Sequence, residues 1–251
     1  ILARGPSGRC KRKIQASANS ASLVLGTTAP EAFVSLFGEE FSTETASASA
    51  AELPGRLAAV EVRVRDSRNA TRNCRLAFVS RSQINLVIPG DVAFGTAVLT
   101  VVRPGVAPVS IRTTIQQVAP GIFSASGDGK GIPAGFSLGV SPTGQTDQQL
   151  LFMPDPQTPA RFVPRPIELD ARSQVYVLLF GTGLRNWKTS VVATIGGLSV
   201  PVLGAVKQGQ FDGLDQVNLG PLPLELRGRG VVPVEVVVDG VKANDLTVSI
   251  R

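Results

Sequence analysis

The sequence contains no histidine. Histidine is the commonest general base, the usual partner of a nucleophilic serine or cysteine, and the commonest metal ligand. Its absence excludes Ser-His and Cys-His catalysis and leaves an enzyme only carboxylate pairs, lysine chemistry or a bound cofactor. We therefore predict that the protein is not an enzyme, with no catalytic, cofactor-binding or metal-binding residue.

The sequence also lacks long apolar runs and helical periodicity. No apolar run approaches the roughly 20 residues of a membrane span, so no transmembrane segment is predicted. Helical periodicity is nowhere sustained for ten residues, while 26 glycines and 18 prolines are typical of a chain rich in turns. These features favour an all-β protein.

The sequence has two cysteines, Cys10 and Cys74, and no Cys-x-x-Cys spacing. Two cysteines can form one disulfide, which would tie the N-terminal segment to the first domain of an exported protein. Two free thiols are the alternative, because sequence does not set the geometry of a bridge.

Positive charge is concentrated at the N-terminus. Five of the 25 basic residues precede the first acidic residue, Glu31, which leaves 20 against 19 acidic residues. The five are Arg4, Arg9, Lys11, Arg12 and Lys13. We predict a basic arm at 1–22, either a solvated tail or a contact for a partner, an anionic polymer or a membrane surface. No aromatic residue interleaves with it, so specific nucleic-acid binding is not predicted.

Several segments occur twice. Residues 33–38 (FVSLFG) match residues 176–181 (YVLLFG), and residues 83–89 (QINLVIP) match residues 216–223 (QVNLGPLP). Each half closes on a similar pair of strands, at 95–115 and at 230–250. This pattern predicts two β-sandwich domains, at 23–117 and 175–251.

The segment at 118–174 belongs to neither copy. It is rich in glycine and proline and too long for a bare loop, so we predict an ordered connector that contains one or two hairpins.

Two motifs in the connector suggest chemistry that their context opposes. Gly135-Phe-Ser-Leu-Gly139 has the letters of a nucleophile elbow, but its flanks indicate a strand and the chain lacks histidine. Gly127-Asp-Gly-Lys-Gly131 lacks phosphate-loop spacing, and Asp128 alone is too few carboxylates for calcium. Both motifs are therefore interpreted as structural.

The remaining candidate residues lie near the second copy. Trp187, Asp212 and Asp215 could contact a glycan; alternatively, Trp187 packs beside a turn and the two aspartates cap their own loop. The duplicated amides Gln83, Asn85, Gln216 and Asn218 indicate a shared structural role, bonding backbone groups at loops or sheet edges.

These motifs together resemble the uncharacterised C-terminal domain family of secreted Solibacter-type Acidobacteria proteins. The resemblance implies an exported protein of tandem immunoglobulin-like modules, similar to IPT/TIG domains, with no assigned activity. It rests on Asn19-Ser-Ala-Ser, 33–38, 82–89, Val118-Ala-Pro-Gly-Ile-Phe-Ser124, 176–183, 213–218, 227–230 and 238–240.

Taken together, the sequence predicts a non-enzymatic, extracytoplasmic structural or interaction module, a subunit of a cell-surface or multi-protein assembly. It would bind a protein partner or copies of itself. A glycan-binding module at the cell surface or in the extracellular matrix is the alternative.

Overall fold

The computed structural model describes residues 13–48 and 52–251, which form an all-β protein with one short 3-10 helix at Leu224–Leu226. The predicted fold class is confirmed in this respect. Contacts divide the chain into two compact units. In the described residues the first comprises 13–18, 24–48 and 52–116, and the second comprises Asn19–Leu23 and Gln117–Arg251.

The first unit consists of two five-stranded sheets, ordered β1-β3-β8-β7-β4 and β2-β10-β9-β5-β6. The strands are β1 (Lys13–Asn19), β2 (Thr27–Thr28), β3 (Phe33–Glu39), β4 (Ala46–Ser47), β5 (Glu61–Arg65), β6 (Thr71–Asn73), β7 (Arg75–Val79), β8 (Gln83–Val87), β9 (Gly95–Arg103) and β10 (Val106–Ile115).

The core of the first unit lies between these two sheets. Alternation in the sequence EVRVR turns Val62 and Val64 of β5 inward, and both are fully buried. They share one apolar cluster with Leu36 of β3 and Leu86 of β8, which belong to the other sheet. The unit is therefore a β-sandwich.

The second unit has two larger sheets, ordered β13-β12-β17-β21-β20 with β11 beside β17, and β16-β24-β22-β18-β19 with β23 beside β22. Strands β14 and β15 form a separate hairpin. The strands are β11 (Gly121–Ile122), β12 (Gly135–Val140), β13 (Thr146–Leu150), β14 (Phe152–Pro154), β15 (Phe162–Pro164), β16 (Pro166–Ile167), β17 (Gln174–Thr182), β18 (Val191–Ile195), β19 (Leu198–Val200), β20 (Val202–Lys207), β21 (Asp215–Leu219), β22 (Gly230–Val238), β23 (Val241–Lys242) and β24 (Leu246–Ile250).

The two units share one strand order. In one sheet, β2-β10-β9-β5-β6 corresponds to β16-β24-β22-β18-β19, and the first strand of each series pairs in parallel with the second. In the other sheet, β3-β8-β7 corresponds to β17-β21-β20, with β1 and β11 beside β3 and β17. Strands β12 to β15 have no counterpart in the first unit.

These units do not follow the predicted boundaries. Residues 13–18 of the predicted arm form most of β1 in the first unit, whereas 19–23 belong to the second unit. The predicted connector at 118–174 contains two hairpins, but its strands β11, β12, β13 and β16 are members of the second unit's sheets. The immunoglobulin-like assignment stays a prediction.

Candidate functional site

Trp187 lies in the loop after β17. Its indole Nε1 donates to the carbonyl oxygen of Ala205 at 3.0 Å, and 41% of the residue stays exposed. The carbonyl belongs to β20, which is the edge strand of its sheet. Trp187 therefore satisfies one backbone group of an open edge and presents part of its ring to solvent.

Asp215 begins β21 and is completely buried. Its Oδ1 pairs with Nε of Arg185, and its Oδ2 accepts the backbone N–H of Leu184 at 2.7 Å. Burial raises the pKa of Asp215, while the charge of Arg185 and the backbone N–H groups oppose this rise. Since Asp215 exposes no surface, the structure places it out of reach of a glycan and makes it a tie between two loops.

Asp212 lies in the loop between β20 and β21 and is half-buried. It is the only one of the two aspartates with any surface that a ligand could touch. The predicted contact set therefore reduces to Trp187 and Asp212, and the structure does not present Asp212 and Asp215 as an exposed carboxylate pair.

The duplicated amides form the same contact in both units. Gln83 Nε2 donates to Asn85 Oδ1 at 2.8 Å, and Gln216 Nε2 donates to Asn218 Oδ1 at 2.6 Å. In the first unit Asn85 Oδ1 also accepts the hydroxyl of Ser35. The amides thus bond along their own strand, whereas the sequence predicted bonds to backbone groups.

Four large apolar side chains are exposed on and around β20. They are Leu203 (61% exposed), Val206 (50%), Phe211 (57%) and Trp187, and we call them the β20 patch. A register shift between Val202 and Gly204 brings Leu203 to the surface, and Phe211 follows in the next loop. Sequence reasoning missed this patch, because a run such as PVLGAV is equally typical of a buried strand.

The basic arm is described only from Lys13, which is the exposed first residue of β1. Arg4, Arg9, Cys10, Lys11 and Arg12 lie outside the described residues, so the predicted contact of the arm stays a prediction. Cys74 is fully buried in the first core, and burial raises the pKa of its thiol to about 12. The Cys10–Cys74 disulfide also stays a prediction.

A cleft of about 550 Å³ opens between the loop at 124–132 and the β14–β15 hairpin, both in the second unit. Its lining includes Asp128, Lys130, Arg161 and Phe162. Asp128 Oδ1 accepts the hydroxyls of Ser126 at 2.7 Å and Ser124 at 3.1 Å. These bonds, Ser126 first, and the N–H of Lys130 lower the pKa of Asp128, so the carboxylate is charged at neutral pH.

The Gly-x-Ser-x-Gly motif lies in a strand. Ser137 lies within strand β12 with its hydroxyl near the carbonyl oxygen of Gln149 at 3.4 Å, so the Gly-x-Ser-x-Gly motif does not form a strand-to-helix elbow. Within residues 13–48 and 52–251, no group of three or more Asp, Glu, Cys or His residues is arranged to hold a metal ion. The same ranges contain no helix long and apolar enough to cross a membrane.

Comparisons with known proteins give no family. No family model matches the chain, and no curated protein matches it. Among solved structures, a biofilm-associated protein's BSP domain is 14% identical with a TM-score of 0.31, covering 95% of this chain and 29% of that one. A Bacteroides ovatus protein, SGBP-B of a mixed-linkage glucan utilization locus, in complex with a mixed-linkage heptasaccharide, is 10% identical with a TM-score of 0.32, covering 90% of this chain and 43% of that one. This chain thus spans less than half of either structure's chain.

Proposed function

We propose that the protein is a non-enzymatic, extracytoplasmic interaction module that binds an apolar, extended segment of a protein partner. The observation that carries this proposal is the β20 patch. Exposed apolar patches on a folded surface mark interaction sites, and aromatic residues are enriched where proteins bind one another.

The position of the patch indicates the form of the partner. Strand β20 pairs with β21 on one side only, so its other edge offers backbone groups to an added strand. The Trp187 indole bonds one carbonyl of this edge, and it would move aside or pack over the incoming segment. Apolar side chains of that segment would rest on Leu203 and Phe211.

Two observations support a role without catalysis. Asp215, the carboxylate nearest to Asp212 in sequence, is buried and paired with Arg185, which removes it from acid–base chemistry at the surface. Ser137 lies on a strand without a nucleophile's turn. The placement outside the cytoplasm rests on the family resemblance, and fractionation of native cells with an antibody to this chain would test it.

Affinity capture from a native envelope extract tests the proposal, together with the mass of the purified chain over a range of concentrations. We expect a captured protein or a concentration-dependent dimer that Phe211→Ser weakens. Phe94→Ser is the matched control, because Phe94 is similarly exposed at 50% but lies in the first unit. A strict monomer that captures no protein, or equal behaviour of both variants, would overturn the proposal.

A glycan site around Trp187 and Asp212 is the second candidate. The observation in its favour is that the Nε1 bond to Ala205 fixes the ring while leaving part of it exposed, as stacking on a sugar requires. Titration with cell-wall and plant polysaccharides, followed by tryptophan fluorescence, tests it. A flat response across the panel would remove this candidate.

A further inference from the structure

The cleft beside Asp128 has walls that are fixed by hydrogen bonds. The carbonyl oxygen of Gly129 accepts Asn244 Nδ2 at 2.8 Å, and that of Gly131 accepts the N–H of Thr247 at 2.7 Å. Ser124 Oγ accepts the N–H of Gly129 at 2.9 Å. These bonds hold the loop at both ends, so one wall is formed before any ligand arrives.

The opposite wall is the β14–β15 hairpin. Its turn closes through the N–H of Asp155 bonded to the carbonyl of Arg161 at 2.9 Å, and through the N–H of Arg161 bonded to the carbonyl of Thr158 at 2.8 Å. The Phe162 ring packs edge-on against Phe152, with centroids 4.9 Å apart, and 42% of the residue stays exposed. The hairpin therefore presents an aromatic surface and a guanidinium side by side.

The basic residues that line the cleft outnumber the acidic ones. Within the part of the chain that the structure describes, neither Lys130 nor Arg161 forms an ion pair. Asp128 is the one acidic residue of the lining, and its Oδ1 already accepts three hydrogen bonds. The lining therefore carries two positive side chains, Lys130 and Arg161, against one carboxylate, so positive charge is in excess.

This combination selects a ligand class. A cleft of this volume is in the range of small-molecule sites and fits one or two sugar rings. An exposed aromatic face packs against the apolar face of a pyranose, and Arg161 can bond a carboxylate with two parallel N–H groups. Asp128 disfavours ligands of higher negative charge, such as phosphate, since its carboxylate would repel them.

We propose that the cleft binds the carboxylate-bearing ring of an acidic saccharide, with Arg161 and Lys130 holding the carboxylate and Phe162 packing against the ring. The site shares no residue with the β20 patch, so it neither requires nor excludes the interaction proposed there.

Calorimetric titration of the full chain with trigalacturonate tests this site, with the methyl ester of the same trimer as the neutral ligand. We expect saturable binding of the acid that weakens with added salt, and about tenfold weaker binding of the ester, because charge-assisted hydrogen bonds are lost. No saturable heat at millimolar ligand, or equal binding of acid and ester, would overturn the proposal.

Variants assign the binding to the cleft. The double variant Lys130→Gln/Arg161→Gln should lose about tenfold or more in affinity for the acid. The control Arg112→Gln/Lys207→Gln removes the same charge from exposed positions outside the cleft and should bind as the parent does. Equal affinity of the two double variants would contradict the assignment, and so would inorganic phosphate binding as tightly as trigalacturonate.

Discussion

In each unit an ion pair ties the same two segments of the chain, but the charges are exchanged between the units. In the second unit Arg185 follows the Phe-Gly strand β17, and its partner Asp215 begins β21. In the first unit the acidic residue Glu40 follows β3, and its partner Arg81 precedes β8. The two pairs differ in burial: Asp215 is fully buried, whereas the Arg81 side chain is 75% exposed.

This difference predicts different effects on stability. Asp215→Ala removes the carboxylate that pairs with the buried Arg185 side chain and should lower the free energy of unfolding by about 3 kcal/mol or more. Arg81→Ala breaks an exposed pair and should cost less than about 1 kcal/mol. Urea unfolding of both variants measures this contrast. Equal losses of unfolding free energy in the two variants would show that burial does not make the Asp215 ion pair more important for stability than the exposed pair.

Cys74 provides a second test at the scale of one residue. Its thiol is fully buried with a pKa raised to about 12, so the reactive thiolate is absent at neutral pH. In the folded, reduced protein we expect iodoacetamide to modify at most one cysteine, Cys10, and in denaturant to modify both.

The same mass measurement decides the predicted Cys10–Cys74 disulfide. If the bridge forms, the denatured but unreduced chain takes up no label. Rapid labelling of Cys74 in the folded state would contradict the burial described above.

Burial is also why the sequence could not separate Asp212 from Asp215. The two aspartates are three residues apart, Asp212 in the loop and Asp215 at the start of β21. Neither their identity nor their spacing reveals that Asp215 is the one buried against Arg185, about 30 positions away. Trp187 was predictable as a loop residue, but its bond to Ala205 depends on a strand that lies 18 positions further on.

At the scale of strands, the repeated Phe-Gly motif has a steric explanation. A Cβ on Gly38 would overlap the carbonyl oxygen of Lys13 and the ring of Phe41; a Cβ on Gly181 would overlap the carbonyl oxygen of Gly121 and the side chain of Leu184. Both glycines therefore allow an edge strand, β1 or β11, to lie close to its neighbour.

We therefore expect Gly38→Ala and Gly181→Ala each to lower the free energy of unfolding by about 3 kcal/mol, as severe overpacking does. Gly204→Ala is the control, because the nearest atom to its added Cβ is 3.9 Å away, and it should change stability little. Thermal and urea unfolding of the three variants give the comparison. If alanine at Gly38 or Gly181 left the free energy of unfolding unchanged, the close approach of the edge strand would not be what requires glycine there.

Hairpins were predictable because their signals are local. Asp239-Gly240 and Gly196-Gly197 each join two paired strands, and all four residues have positive φ in the structure, as such turns require. The place of β1 and β11 was not predictable, because their partners β3 and β17 are distant in sequence. For the same reason, the sequence did not predict that β11, β12, β13 and β16 of the connector join the sheets of the second unit.

For the whole molecule, the strand framework occurs in both units, whereas the candidate sites occur in the second unit. The frame recurs in both units, from the strand order to the amide bonds of Gln83 and Gln216. The β20 patch and the cleft beside Asp128 involve only residues of the second unit. Strands β12 to β15 have no counterpart in the first unit, and the β14–β15 hairpin among them forms one wall of the cleft. In the sequence, the absence of a second copy of this segment was therefore the signal that pointed toward the site.

The pH dependence of stability also belongs to the whole molecule. The pKa values of Asp66, Asp128 and Asp239 are lowered, the first mainly by the N–H of Ala93, the second by the Ser126 hydroxyl and the third by the N–H of Ser190. A lowered folded-state pKa gives stability above the unfolded value of 3.8, which is lost as pH falls through the folded value. Asp215 acts with the opposite sign, because burial raises its pKa.

We therefore expect the melting temperature to vary little between about pH 5.5 and 7.5, since the chain has no histidine to titrate there, and to fall below about pH 4 as the three aspartates protonate. Asp239→Asn should lower the melting temperature at neutral pH and reduce its fall in acid, because Asn cannot lose the charge that the N–H groups of Lys188, Thr189 and Ser190 stabilise. Calorimetric scans across this range measure both effects. Asp155→Asn is the control, since the Asp155 carboxylate accepts the N–H of Gln157, whereas that of Asp239 accepts three N–H groups. An acid transition reduced equally by both variants would contradict the role assigned to Asp239.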